Sequence, residues 1–142
     1  MLIKQISIFI ENKSGRLTEV TKILGHNNID LIAISISDTT DFGILRLIVN
    51  DPNKAESVLK ENGFTVNTTN VIAIAVDDIP GSLADALAVL SEKSIGIEYM
   101  YAVGKDTQGA VVILRVEDID TAIKVLREKD INVLKSEKVY QL

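Results

Sequence analysis

Glu11-Asn12-Lys13-Ser14-Gly15-Arg16-Leu17 and Asp77-Asp78-Ile79-Pro80-Gly81-Ser82-Leu83 are two versions of one junction. Before each, apolar residues alternate with others in the manner of a strand: Ile6, Ile8 and Ile10 in the first case, Ile72 and Ile74 in the second. After each, apolar residues recur at helical spacing: Leu17, Val20, Thr21 and Leu24 with Ile23 beside them, then Leu83, Ala86, Leu87 and Leu90. A polar turn and a glycine separate the two periodicities both times.

Working outward, the match extends over the whole chain. With Gly15 set on Gly81, a shift of 66 residues, Ile29 falls on Ile95 and Gly43 on Gly109. One inserted residue near position 51 then places Ala55 on Ala122, Val58 on Val125, Leu59 on Leu126, Glu61 on Glu128 and Val66 on Val133. Two copies of one unit are expected, at residues 1–70 and 71–142, held close because Val66 to Val71 offers no Gly, Ser or Pro linker.

Each copy reads strand, helix, strand, strand, helix, strand. In the first, 31–37 and 44–49 are strands joined by the polar turn Asp38-Thr39-Thr40-Asp41. Asp51-Pro52 caps and opens the second helix, Gly63 closes it, and 64–69 form the last strand. In the second, strands at 71–77, near 97–103, near 110–116 and near 132–140 alternate with helices carrying Leu83 and Ile119, Ala122, Ile123 and Leu126. Right-handed crossovers turn this order into an α+β architecture: two ferredoxin-like βαββαβ modules, each an antiparallel four-stranded sheet with two helices on one face. The other face and the edge strands stay open, and the second copy and then a second chain are the natural partners. Ile32, Ile34 and Ile36 are expected to share one face; the aligned Glu98, Met100 and Ala102 match poorly, with Tyr99 and Tyr101 opposite.

Composition narrows the function. A formal net charge of −5 argues against binding nucleic acid through its phosphates, and the absence of Cys removes disulfides, thiolate metal sites and thiol nucleophiles. Met1-Leu2-Ile3-Lys4-Gln5 does not read as a signal peptide, and no apolar run reaches the roughly 18 residues of a membrane span, so a cytoplasmic protein is expected. The single histidine, His26, falls at a helix end where the dipole favours it, with no regularly spaced partners for a metal. Asp77-Asp78 reads as a charged turn because adjacent strand residues point apart. Asp41-Phe42-Gly43 spells a kinase tripeptide without the other kinase elements, and Arg16 alone does not make an acylphosphatase. The third strands, ILRLIV and VVILRV, lack the aromatics on which RNA-recognition modules stack bases. No catalysis, cofactor or metal is expected.

What remains is the junction itself. A glycine entering a helix leaves the first amide groups unobstructed, and these, with the positive end of the helix dipole, can receive a carboxylate. A plain helix start, with Asn12 or Asp78 and Ser14 serving the turn, would have the same residues.

Both copies resemble ACT domains. The resemblance rests on the Asn/Asp-x-Ser/Pro-Gly-x-Leu turn at 12–17 and 78–83, the apolar helix after it, and Ile29-Asp30-Leu31 and Ile95-Gly96-Ile97 entering the second strand. It implies a regulatory protein that binds an amino acid at the interface of two ACT domains, in a homodimer. The turn would take the ligand carboxylate, and a polar residue entering the second strand of the facing domain its amino group. The implied ligand residues are Asn12, Lys13, Ser14, Gly15, Arg16 and Leu17 with Asp30, and Asp78, Ile79, Pro80, Gly81, Ser82 and Leu83 facing Gly96.

The copies depart unequally from the pattern. Ser14 replaces the usual proline, Gly96 offers no side chain to an ammonium, and Asp78 would repel a carboxylate where Asn12 would not. The better site therefore pairs Asn12–Leu17 with Asp30 of a facing copy. An alternative is the regulatory subunit of a biosynthetic enzyme such as acetolactate synthase, whose small subunit residues 3–49 also resemble; the second full turn at 78–83 favours the tandem protein.

Overall fold

A computed structural model describes residues 2–38, 41–106 and 109–142. The chain divides into two compact units: Lys4–Thr69 with Tyr140–Leu142, called the first module here, and Asn70–Val139 with the residues up to Ile3, called the second.

The first module contains β1 (Ile3–Glu11) from Lys4 onward, α1 (Arg16–His26), β2 (Leu31–Asp38), β3 (Phe42–Val49), α2 (Pro52–Glu61) and the start of β4 (Thr65–Val76). The second continues with the rest of β4, α3 (Ser82–Glu92), β5 (Ile97–Asp106), β6 (Gly109–Val116), α4 (Ile119–Glu128), β7 (Asn132–Val133) and the short α5 (Ser136–Val139). Strand order is β2-β3-β1-β4 in one module and β5-β6-β4-β7 in the other, the ferredoxin-like arrangement twice over. No helix among the described residues is long and apolar enough to cross a membrane.

Each core is mainly aliphatic, with Phe64 the aromatic member of the first, and lies between the sheet and its two helices. In the first module Ile6, Ile8 and Ile10 meet Leu45, Leu47 and Val49 from β3, Val20 and Leu24 from α1, and Ala55 and Leu59 from α2. The second repeats this with Ile72, Ile74, Val112, Leu114, Val116, Ala86, Leu90, Ala122 and Leu126. Burying one such Leu or Ile side chain contributes roughly 1.5–3 kcal/mol, so the alternation read from β1 states which face must be covered.

Several sequence expectations change. The strands expected at 64–69 and 71–77 are one continuous β4 of 12 residues. The last strand, expected near 132–140, stops after Val133, and residues 136–139 turn into α5. Tyr140 then belongs to the first module, where its hydroxyl accepts from the Lys4 amide at 2.9 Å. Thr39 and Thr40 of the proposed polar turn lie outside the described residues, and Asp38 is the last residue of β2.

The inserted residue is also elsewhere. Gly43 pairs with Ile10, and Ala110 pairs with Val76, the repeat-mate of Ile10. Gly43 therefore corresponds to Ala110, not Gly109, and the extra residue precedes β3's counterpart. It sits in β5, whose register shifts between Ala102 and Gly104. A bulge absorbs one residue while both flanks keep their faces, so a sequence alignment can slide it freely among aliphatic positions. Gly109 owes its identity to a different cause: a Cβ there would collide with the Val76 carbonyl oxygen.

A second bulge, between Leu31 and Ala33, recurs between Ile97 and Tyr99. It takes Ile32 out of the expected row: Leu31 packs on the core, and Ile34 and Ile36 lie opposite Leu47 and Leu45. In β5, Met100 lies opposite Leu114, while half-buried Tyr99 and Tyr101 pair with Arg115 and Ile113.

Candidate functional site

The repeated junction folds the same way twice. In the first module the Arg16 amide donates to Lys13 O at 3.3 Å, closing a turn whose third residue, Gly15, has φ 89° and ψ −14°. In the second the Ser82 amide donates to Ile79 O at 3.3 Å around Gly81, φ 93° and ψ −17°. Both are type II turns, which require φ above zero at the third position and favour proline at the second. Gly15 and Gly81 meet the first requirement and Pro80 the second, with Ser14 in the matching place.

The glycine is also the N-cap. It carries no side chain, so neither α1 nor α3 has a side-chain cap. The contrast within the same chain is direct: Asp51 caps α2 by accepting from the Lys54 amide, and Asp118 caps α4 by accepting from the Thr121 amide, both at 3.2 Å. In α1 the Glu19 amide already donates to Gly15 O at 2.9 Å, which leaves the Leu17 and Thr18 amides as the helix-start donors without an intrahelical acceptor. Leu83 and Ala84 hold those places in α3. Thr18 and Ala84 lie one residue past the motif read from the sequence; helix-end geometry, not residue type, selects them.

The cations of the first turn are engaged. Lys13 Nζ lies 2.7 Å from Glu11 Oε2, and Arg16 reaches Glu19 at 3.0 Å and Glu11 at 3.5 Å. The hydrogen bond from Lys13, then its charge, holds the Glu11 carboxyl below the usual glutamate value of 4.5. The Arg16 guanidinium also stands 5.6 Å from the centre of the Phe64 ring. The amide of Asn12 anchors the turn by donating to Asp41 O at 2.9 Å.

Beside this turn is a notch of about 150 Å³ lined by Ile10, Glu11, Asn12, Lys13, Arg16, Leu17, Ile36 and Gly43. The second turn borders a different space, a pocket of about 320 Å³ lined by Asp77, Ser82, Asp85 and Asp130 together with Ala75, Val76, Ile131 and Asn132. Its carboxylates would repel an anion. Asp78, Ile79, Pro80 and Gly81 are exposed, and Leu83 is half-buried against the second core.

Asp30 is exposed and stands beyond the C-terminal end of α1, its amide donating to Asn50 Oδ1 at 3.0 Å. Eleven helical residues span about 16 Å, so Asp30 and the Asn12–Leu17 turn are at opposite ends of their own module. Gly96 has the same relation to its turn. His26 ends α1 exposed, and among the described residues no group of three or more His, Cys, Asp or Glu is placed to hold a metal.

Residues 1–142 match a family described as an ACT domain pair. Among solved structures, protein BT0572 from Bacteroides thetaiotaomicron shares 48% identity over 100% of this chain and 98% of its own, with a TM-score of 0.95. The regulatory subunit of aspartate kinase from Thermus thermophilus, ligand-free, shares the fold at 16% identity over 89% of this chain and 93% of its own, with a TM-score of 0.65. The corresponding subunit from Thermus flavus does so at 17% identity over 88% and 90%, with a TM-score of 0.58. No curated protein matches the chain.

Proposed function

The chain belongs to the ACT domain pair family, and from that premise we propose that it is a non-catalytic regulatory protein that binds an amino acid at the Asn12–Leu17 turn. The observation that carries this is the pair of uncapped helix starts behind glycine turns, in a chain whose other two long helices are capped by aspartate. A ligand carboxylate takes the Leu17 and Thr18 amides and the positive end of α1. Lys13 and Arg16, already paired with Glu11 and Glu19, frame that position and add little net charge to it.

Asp30 is anionic and suits the ligand ammonium. It reaches the site only from a second copy of the chain, because its own module holds it at the far end of α1. Binding therefore couples to homodimer assembly: a ligand shifts an association equilibrium only when it binds the two states differently. The Asp78–Leu83 turn, beside three aspartates and facing Gly96, is the weaker site and serves its module structurally. The compartment consistent with this role is the cytoplasm, with neither a membrane nor a nucleic acid as partner.

A second reading makes the chain the regulatory subunit of an amino-acid biosynthetic enzyme. It draws on the aspartate kinase regulatory subunits, which share the fold at nearly the same length. Pull-down of a catalytic chain at near-equal stoichiometry would favour it.

The test is a thermal-shift screen of the twenty amino acids. A true ligand at 100 times its Kd stabilises by roughly 2.7 kcal/mol, and Asp30→Ala weakens it. Silence from all twenty removes amino-acid binding; unchanged affinity in Asp30→Ala removes the role of Asp30.

A further inference from the structure

We propose that the notch floored by Gly43 in the first module receives the ligand side chain, and that the ligand is an aliphatic amino acid of valine to leucine size. This rests on the amino-acid reading above and specifies its substrate class. The notch shares Asn12, Lys13 and Leu17 with the carboxylate-receiving turn, so an α-amino acid seated on the helix-start amides directs its side chain into it. The apolar walls are Ile10 and Ile36 away from the turn and Leu17 at its end, with Leu17 39% and Ile36 51% exposed. A volume of about 150 Å³ matches that of a site that admits a group of benzene size, so four side-chain carbons fit it and an indole does not. A lysine or aspartate side chain would set its charge against Ile10, Leu17 and Ile36, and the charged groups that also line the notch, Glu11, Lys13 and Arg16, are engaged with one another and with Glu19.

Gly43 is what keeps the notch open. Its backbone has ordinary φ, and a Cβ placed there would meet Ile10 Cγ1 at 3.6 Å, Ser37 O at 3.6 Å and Ile36 Cδ1 at 3.7 Å, all ordinary contacts. Neither strain nor crowding demands a glycine. The repeat supplies the comparison: at the matching position, opposite Val76, the second module carries Ala110, and Ala102 stands where the first module has Ile36. One module presents an open floor with a large aliphatic wall, and the other a methyl with a small one.

Calorimetry on the full chain tests this with glycine, alanine, valine, leucine, lysine and aspartate as probes. Affinity should rise from alanine to leucine by about fourfold per added carbon, with lysine and aspartate at least about tenfold weaker than leucine. Gly43→Ala should keep the wild-type unfolding midpoint and alanine binding while weakening leucine about tenfold. Should Gly43→Ala fold poorly, Ile36→Ala, at an exposed wall, should weaken leucine severalfold and leave alanine unchanged. A charged amino acid binding tightest, or leucine affinity unchanged in both variants, overturns the side-chain assignment and leaves amino-acid binding intact. If none of the twenty amino acids binds, the functional reading itself fails and this inference falls with it.

Discussion

The guanidinium of Arg16 stands 5.6 Å from the centre of the Phe64 ring and within 3.0 Å of Glu19, so the most prominent cation of the first turn is held by its own module. Its side chain is 37% exposed, and exposed ion pairs contribute little to stability. Arg16→Ala should shift the thermal midpoint by no more than about 4 °C. It should change ligand affinity far less than removal of a direct carboxylate partner would. A loss above about a hundredfold in Kd would show Arg16 to be a direct ligand.

Gly15 and Gly81 are required by the turn and not by space, since a Cβ at either meets nothing within 4 Å. Each sits at φ near 90°, where an L side chain costs about 1–2 kcal/mol. Gly15→Ala and Gly81→Ala should each lower unfolding free energy by about that amount in urea titrations, and by similar amounts because the two turns match. A neutral Gly15→Ala would mean that the turn relaxes without loss.

Asp51 accepts from the Lys54 amide and opens α2 ahead of Pro52. Asp51→Ala should destabilise the protein by about 0.5–2 kcal/mol and Asp51→Ser by much less, because serine also caps. Urea unfolding of the two variants separates the loss of a cap from a loss of charge.

Acid should weaken two contacts. Glu11 titrates below 4.5 because Lys13 donates to it, and Asp118 titrates below 3.8 because the Thr121 hydroxyl and amide donate to it. Both pKa values are depressed in the folded state, so the stability they add is present above the unfolded values and is lost as pH falls through the folded ones. Unfolding measured from pH 5 to pH 2 should therefore fall less steeply in Glu11→Gln and in Asp118→Asn than in the parent. Identical slopes would show that these contacts do not survive in solution.

Leu59 and Leu126 occupy matching places in the two cores and are fully buried. Leu59→Ala and Leu126→Ala should each cost about 2–5 kcal/mol, read by chemical denaturation. A cost below about 1 kcal/mol in either would mean that its core closes over the cavity.

The element order, the two-fold repeat, both glycine turns and nearly all of each core could be read from the chain, because these depend on periodicity and on backbone conformations that few residues adopt. Ile6, Ile8 and Ile10 announce a covered face; Gly15 and Gly81 announce a positive φ. Of the proposed site, the turn residues can be named by position from the sequence, but Thr18, Ile10, Ile36 and Gly43 cannot. Only the fold places these four. Thr18 matters through an amide that every residue possesses, and the other three come from separate strands that meet at one end of a sheet.

The tertiary structure also decided what the sequence pattern misplaced. The extra residue of the second copy resides in the bulge between Ala102 and Gly104, and this makes Ala110 the counterpart of Gly43. The chain alone cannot locate such a bulge, because sliding it along an aliphatic strand leaves the hydrophobic pattern almost unchanged; the hydrogen-bonded register fixes it to one residue. The last strand ends after Val133 for a related reason: apolar Leu134 and Val139 promise burial but do not say in which secondary structure, and packing sends the chain into α5. Sequence determined what must be buried and where the backbone must turn. The register of the strands decided which side chains meet at the turn.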